Sequence, residues 1–252
     1  MFKVKEMNYS ERTHNRYWWY RLKDCSYMPP IFAGLSNEEW ELMDNWFSTT
    51  EEQFESPGEM NIPPISLIEG LIGGSGISAI VQCGHYVGYS TLLLGFLLRR
   101  MGKKNALFSI DIDRQATNFT QGWLDKAELQ QQVKLRLEDS SHSCLPDEAR
   151  RYFGREIQLV LIDSSHQYAH SLKELDLWYD ALPRGGLIVM HDVSHFAQSF
   201  DSTGKGGVLK AVQEWATQRG IMPMLLNSFV TNEDPNNLVY RDGCGLGIIQ
   251  KV

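Results

Sequence analysis

Several groups of residues in this 252-residue chain combine types and spacings that could do chemistry. The stretch Gly84-His85-Tyr86-Val87-Gly88-Tyr89-Ser90 carries two glycines with three residues between them. Glycine lets a backbone turn sharply and approach a ligand closely, and a helix opening after such a stretch favours an anion. The stretch lacks the tight fingerprint of a dinucleotide site and the lysine of a phosphate loop, which favours a nucleoside carrying a carboxylate over a dinucleotide. Further on stand Asp111, the run Glu138 to Ser140, the pair Asp163 and His166, and the adjacent His191 and Asp192. A carboxylate at Asp111 can accept both hydrogen bonds of a ribose diol, whereas Asp113 suits the cap of a following helix better. An imidazole of ordinary pKa, about 6.5, takes a proton near neutral pH, and this makes His166 the candidate general base.

Those residues need elements to hold them, and the chain alternates strand and helix signals. Ile77 to Cys83 is a β-branched apolar run, Ser90 to Met101 an apolar helix ending in two arginines and Gly102, and Ala106 to Ile110 the next strand. A helix over Arg114 to Ala127 follows Asp113. Then come a strand over Val133 to Leu137, a short helix over Glu148 to Phe153, a strand over Leu159 to Ile162 and a helix over Ala169 to Leu182. The turn Pro183 to Gly186, the strand Leu187 to Met190 and a helix around Val208 to Gln218 complete the series. Such alternation predicts a doubly wound α/β fold with a mostly parallel sheet covered on both faces. Asn237 to Tyr240 and Gly245 to Gln250 are expected as an antiparallel pair of strands at its edge. In such a sheet ligands bind beyond the carboxyl ends of the strands. That rule brings Asp111, Asp163, His166, His191 and Asp192 to one rim.

Residues 1–62 differ from the rest. They are rich in aromatics (Tyr17, Trp18, Trp19, Tyr20, Trp40, Trp46, Phe47), with a helix expected over Asn37 to Phe47 after a Ser36 or Asn37 cap. We expect a helical N-terminal extension, a lid or an oligomer contact, ahead of a main domain over 63–252. The cluster Arg16 to Lys23 is expected to pack on the main domain or a second subunit rather than to anchor in a membrane. A loop over Ser56 to Pro64 leads into a helix around Ile65 to Ile72.

Composition bounds these readings. With 42% apolar and 22% charged residues, the chain has the makings of a sizeable core. No apolar run approaches the ~18 residues of a membrane span, and no secretory signal is read at the start. The expected setting is cytoplasmic, with no membrane partner. A net charge of −7, from 24 basic and 31 acidic residues, argues against duplex nucleic acid as a partner. Cys25, Cys83, Cys144 and Cys244 lie far apart with no paired spacing, so neither zinc ribbon nor disulfide framework is expected.

Other signals are weaker. Gly74, Gly76 and Ala79 have dinucleotide-fingerprint spacing but precede the first strand, so they are taken as a turn. His170 is expected to be solvated, His195 to line the pocket or lie on the surface, and Asp176 and Trp178 to be structural. Lys205, Gly206 and Gly207 are assigned only a loop and a helix start.

The succession Val81 to Ser90, Ser109-Ile110-Asp111-Ile112-Asp113, Leu161-Ile162-Asp163-Ser164-Ser165-His166 and Pro183 to Asp192 resembles class I S-adenosylmethionine-dependent methyltransferases. The nearest likeness is to the O-methyltransferases of macrolide sugars and the cephalosporin-biosynthesis group. It covers about Pro63 to Val193 plus Gly245-Leu246-Gly247-Ile248, and rests on four motifs in order rather than on any one. The resemblance implies a Rossmann-like sheet binding S-adenosyl-L-methionine. It sets Gly84 and Gly88, with Gln82, Tyr86 and Ser90 around them, against the methionine part. Asp111 would hold the ribose, Asp139 and Ser140 would border the adenine, and Asp163 would lie near the methyl group. It further implies a divalent cation on Asp163 and on the residues 28 and 29 positions later, His191 and Asp192, with His166 as general base. Two positions depart from the family pattern. His191 stands where Glu is usual, which suits manganese, iron or zinc better than magnesium. Gln82 stands where an acidic residue is common.

The activity implied is O-methylation of a hydroxyl on a small sugar or natural-product acceptor, in a homo-oligomer. Two alternatives stand beside it: an NAD(P)-dependent oxidoreductase on the same fold, and a non-catalytic cofactor-binding protein. Acceptor specificity is expected to lie in the N-terminal extension, Met60 to Pro64 and Ser194 to Gly207.

Overall fold

The computed structural model describes residues 28–227, 240 and 242–252. The expectations for Tyr17 to Tyr20 and for the cluster Arg16 to Lys23 lie outside the described residues. The helices are Pro30–Ala33 (α1), Asn37–Gln53 (α2), Ile62–Ser75 (α3), Tyr89–Arg100 (α4), Arg114–Lys126 (α5), Leu145–Phe153 (α6), Tyr168–Ala181 (α7) and Gly207–Arg219 (α8). The strands are Ile80–Cys83 (β1), Leu107–Asp111 (β2), Val133–Leu137 (β3), Leu159–Ile162 (β4), Leu187–His191 (β5), Met224–Leu226 (β6) and Leu246–Gln250 (β7). A short 3₁₀ turn, Ala197–Phe200, follows β5.

Local chemistry sets the ends of these elements. Ser36 and Glu39 form a reciprocal capping box that starts α2. The Asp113 carboxylate accepts from the Ala116 amide and starts α5. Gly76, with φ +66°, ends α3 in the left-handed conformation. That is why Gly74 and Gly76 are a helix terminus and not a nucleotide fingerprint.

The strands lie in the order β3-β2-β1-β4-β5-β7-β6. The first five are parallel, and β7 runs antiparallel to both β5 and β6. This is a doubly wound, Rossmann-like sheet with an antiparallel edge pair. One strand of that pair differs from expectation. Met224–Leu226 partners β7, while Tyr240 lies in a bend and 237–239 fall outside the described residues. A three-residue apolar run is too short for periodicity to distinguish from a loop.

β1 and β4 are fully buried strands, apolar but for Gln82, as expected of a sheet covered on both faces. One face packs α1 to α5, with Trp46, Phe47, Ile65, Leu92 and Trp123 in its core. Leu145, Trp178, Val212 and Trp215, from α6 to α8, fill the other. Residues from Ile31 to Met60 therefore share the apolar core of the sheet. Trp46 also reaches the loop after β1, where its indole N–H donates to the Val87 carbonyl at 2.8 Å. Among the described residues no helix is long and apolar enough to cross a membrane.

Candidate active site

β1 pairs with β2 on one side and β4 on the other, so the chain reverses its winding direction at β1. A crevice opens at such a switch point. Here it is a cavity of about 570 Å³ reached by Gly84, Asp111, Asp139 and Asp163, each at or just beyond a strand end. Its floor is backbone against backbone. A Cβ added at Gly84, φ +87°, would sit 2.0 Å from the Asp163 carbonyl oxygen, so no side chain fits there. Gly88, φ +95°, is pressed in the same way against Thr120 at 2.8 Å, but it lies behind the cavity wall and does not line it. Between them Tyr86 takes φ +41°, and its ring meets Phe54 edge-on at 5.9 Å. Pro57 and Gly58, from the chain after α2, close the cavity over that ring.

Asp111 holds this loop together. Its Oδ2 accepts from the amides of His85 at 3.0 Å and Tyr86 at 2.8 Å, and its Oδ1 accepts from the Asp113 amide at 2.8 Å. A carboxylate offers about four lone-pair directions, so three are spent on backbone and about one remains for a ligand hydroxyl. Beneath the loop runs a buried polar chain. Gln82 donates to Ser90 Oγ at 2.7 Å and accepts from Thr91 at 2.9 Å and Ser109 at 3.0 Å. His85 continues it, with Nδ1 3.1 Å from Ser109 and Nε2 3.0 Å from Thr117. The Gln82 side chain is thus committed inside the protein. It supports the loop from below and lines no part of the cavity. Burial pushes the His85 imidazole down to about 4, against the opposing pull of Asp111.

The outer end of the cavity is formed by the loops after β2, β3 and β4. Ile112 is 74% exposed and lines it, an apolar surface between two aspartates that carries no pattern readable in sequence. Asp139 accepts from the Ser141 amide and hydroxyl, and these bonds hold its carboxyl below the usual range despite partial burial. Ser140, Ser164 and His170 complete this end. His170 was expected in solvent. Instead its side chain is 21% exposed and Nε2 lies 3.4 Å from the buried Glu174, because α7 turns that face toward the sheet.

At the other end Asp163 and His166 line the cavity, with His191 and Asp192 behind them. His166 Nε2 lies 3.1 Å from Asp192 Oδ2. This hydrogen bond raises the His166 pKa above the ordinary imidazole value, more than burial lowers it. His191 Nδ1 stands between Asp163 Oδ1 at 3.4 Å and Asp192 Oδ2 at 3.5 Å, and its Nε2 faces Asp242 at 3.6 Å. Burial opposes its charge, but three carboxylates hold it well above the ordinary value. Asp192 adopts φ +64°, a left-handed conformation that side chains other than glycine adopt at a cost and that recurs at functional sites. One ligand atom each from Asp163, His166 and Asp192 lies within 4.8 Å of the others, and the same holds for His191, Asp192 and Cys244. Cys244 had no signal in the sequence; β7 carries it to the rim. His195 is exposed and, among the described residues, its ring meets Gln198 at 3.3 Å. Beside His166 stands Phe200, with rings 5.3 Å apart, and Phe196 packs edge-on to Phe200. Away from the cavity, Asp176 accepts from Trp215 and Arg219, a structural role as expected.

Residues 81–193 match a family model described as a methyltransferase domain. This stretch contains Gly84, Asp111, Asp139, Asp163, His166 and Asp192. The chain has the methyltransferase fold. An SAH-bound methyltransferase from Podospora anserina, PaMTH1, superposes over 100% of both chains with a TM-score of 0.62 at 13% identity. An O-methyltransferase from Bacillus cereus in complex with SAH covers 86% of this chain and 92% of its own, with a TM-score of 0.56 at 14% identity. A SAM-dependent O-methyltransferase from Thermotoga maritima covers 84% of this chain and 71% of its own, with a TM-score of 0.53 at 15% identity. At these identities the likeness is one of fold. No curated protein matches the chain by sequence.

Proposed function

We propose that this methyltransferase-fold chain transfers a methyl group from S-adenosylmethionine to a hydroxyl oxygen of a small acceptor of sugar or natural-product type. One observation carries the reading: an imidazole oriented by a buried carboxylate, His166 on Asp192, opens on the cavity floored by Gly84. The cavity's composition fits the cofactor. Gly84 leaves its floor without side chains for the methionine part, the remaining lone pair of Asp111 meets a ribose hydroxyl, and Ile112 offers an apolar face to the base. When bound, S-adenosylmethionine supplies a methyl on a sulfonium that departs as a neutral thioether.

The protein's task is then to raise the acceptor's nucleophilicity and align it. His166 Nε2 is engaged with Asp192, which leaves Nδ1 to take the hydroxyl proton as the oxygen attacks. Asp192 stabilises the resulting imidazolium, and Asp163 adds negative charge beside it. Phe200 and Phe196 wall the acceptor side of His166. Asp163 and Asp192, with His191 Nδ1 beside both, would hold a divalent cation of the kind that accepts mixed nitrogen and oxygen donors, leaving His166 as the base. Such an ion would act as a Lewis acid on the acceptor oxygen. An oxidoreductase reading is disfavoured because the only glycines at fingerprint spacing cap α3 ahead of the sheet.

The test is calorimetric binding of S-adenosylmethionine, S-adenosylhomocysteine and NAD, followed by methyl transfer to a panel of hydroxylated acceptors. Binding of the first two without NAD, and transfer to oxygen, is the expected result. NAD binding in their place overturns the reading; cofactor binding without transfer to any acceptor favours a non-catalytic binding protein.

A further inference from the structure

We propose that Glu174 is a positioning residue that turns the hydroxyls of Ser140 and Ser164 into hydrogen-bond acceptors facing the cavity. By this means it selects a nucleobase bearing an exocyclic amine. The inference rests on the cofactor reading above and deepens it.

Glu174 lies on α7 with 0% exposure, beneath the outer end of the cavity. Ser140 follows β3 and Ser164 follows β4, and both line the cavity. Their hydroxyls converge on the same Glu174 oxygen, Oε1, at 2.6 Å and 2.7 Å. A carboxylate oxygen has only lone pairs to offer, and each serine has a single proton. Both protons are therefore directed away from the cavity, and what the two oxygens can present to a ligand is lone pairs. His170 Nε2 lies 3.2 Å from Ser140 Oγ and 3.4 Å from Glu174, so its ring is tied to the same pair. The Trp178 indole N–H donates to the Ser140 carbonyl at 3.0 Å and fixes the backbone there.

Stability alone does not account for this carboxylate. Its second oxygen, Oε2, is buried with no hydrogen-bond partner. Leaving a buried polar atom unpartnered costs stability. An arrangement of donors committed inward is, by contrast, a means of discrimination. A base carrying an amine donates to the serine oxygens; a base carrying a carbonyl at that position sets lone pairs against lone pairs. Sites built to hydrogen-bond one such group reject the analogue lacking it far more strongly than apolar pockets do.

The experiment is titration calorimetry of the full chain with S-adenosylhomocysteine and S-inosylhomocysteine, in which a carbonyl replaces the exocyclic amine. The unaltered protein should bind the adenosyl form at least tenfold more tightly. In Glu174→Leu the hydroxyl protons are released, and the preference should fall below threefold while inosyl affinity holds or rises. Ser164→Ala, on the cavity wall, should lose part of the preference and serves if Glu174→Leu does not fold. A folded Glu174→Leu or Ser164→Ala protein that keeps the full preference overturns the proposal, as does an unaltered protein that binds both forms equally. An unaltered protein that binds neither form overturns the cofactor reading instead.

Discussion

The neutral, buried His85 makes the glycine loop an acid-sensitive part of the fold, and the size of the effect can be worked out. His85 is 3% exposed, and burial lowers its pKa from 6.5 to about 4. In the unfolded chain it takes a proton near its ordinary value; in the folded chain it resists until about 4. Stability from this group is therefore fully present above about 6.5 and is lost as pH falls toward 4. At ~1.36 kcal/mol per pH unit the complete loss is about 3 kcal/mol, and about 2 kcal/mol of it falls between pH 7 and pH 5. Other groups act in the opposite sense within this window or outside it. His166, His170 and His191 have raised pKa values, so their contributions are complete below about 6.5 and are lost as pH rises. Asp139 and Asp242 have lowered ones and lose their contributions only in more acid solution. Urea unfolding followed by tryptophan fluorescence should show stability changing between pH 7 and pH 5 by about 2 kcal/mol more unfavourably in the unaltered protein than in His85→Gln, whose amide hydrogen-bonds but does not titrate and which keeps the opposing histidines. Equal changes in the two proteins would refute the assignment.

Other outcomes follow from the same geometry. His166→Ala should lower kcat by about 10²-fold or more while calorimetry finds S-adenosylhomocysteine affinity within about threefold; unchanged turnover with a true acceptor removes the base. Gly84→Ala drives a Cβ to 2.0 Å from the Asp163 carbonyl and should destabilise the fold by more than about 2 kcal/mol. Gly122→Ala, within α5 with nothing within 4 Å of its added Cβ, should stabilise by about 0.5–1 kcal/mol in the same urea unfolding assay. For the cation, manganese binding followed by paramagnetic resonance should be lost in Asp192→Asn, and exhaustive chelation should reduce transfer at least tenfold; binding that survives the substitution counts against these ligands.

The alternation of strand and helix was legible because the parallel strands are short runs that are either apolar or apolar at alternate positions. Val133–Leu137 and Leu159–Ile162 fall where the sequence predicts them. The glycine loop was legible as a turn, since Gly84 and Gly88 both take positive φ. What pattern could not reveal are contacts made by sheet order. The Asp163 carbonyl against Gly84 exists only because β4 lies beside β1. Asp111 invites reading as a ligand residue, yet most of its carboxylate is spent on three amides of neighbouring loops. Gln82 looked like a departure at a cofactor position, but its amide is fully engaged with Ser90, Thr91 and Ser109. Ser140 and Glu174 stand on separate elements, and no spacing rule joins them.

The backbone floor at Gly84 also sets where this cavity can be remodelled. At Gly84 itself there is no side chain to shorten, and its backbone already meets that of Asp163, so enlarging the cavity there means moving the sheet itself. At the outer end the lining includes Ile112, Ser140, Ser164 and His170, each of which carries a side chain. An enlarged cofactor analogue with added bulk on its base can therefore be matched by trimming one of them. Bulk added at the amino-acid end meets a surface that substitution cannot lower.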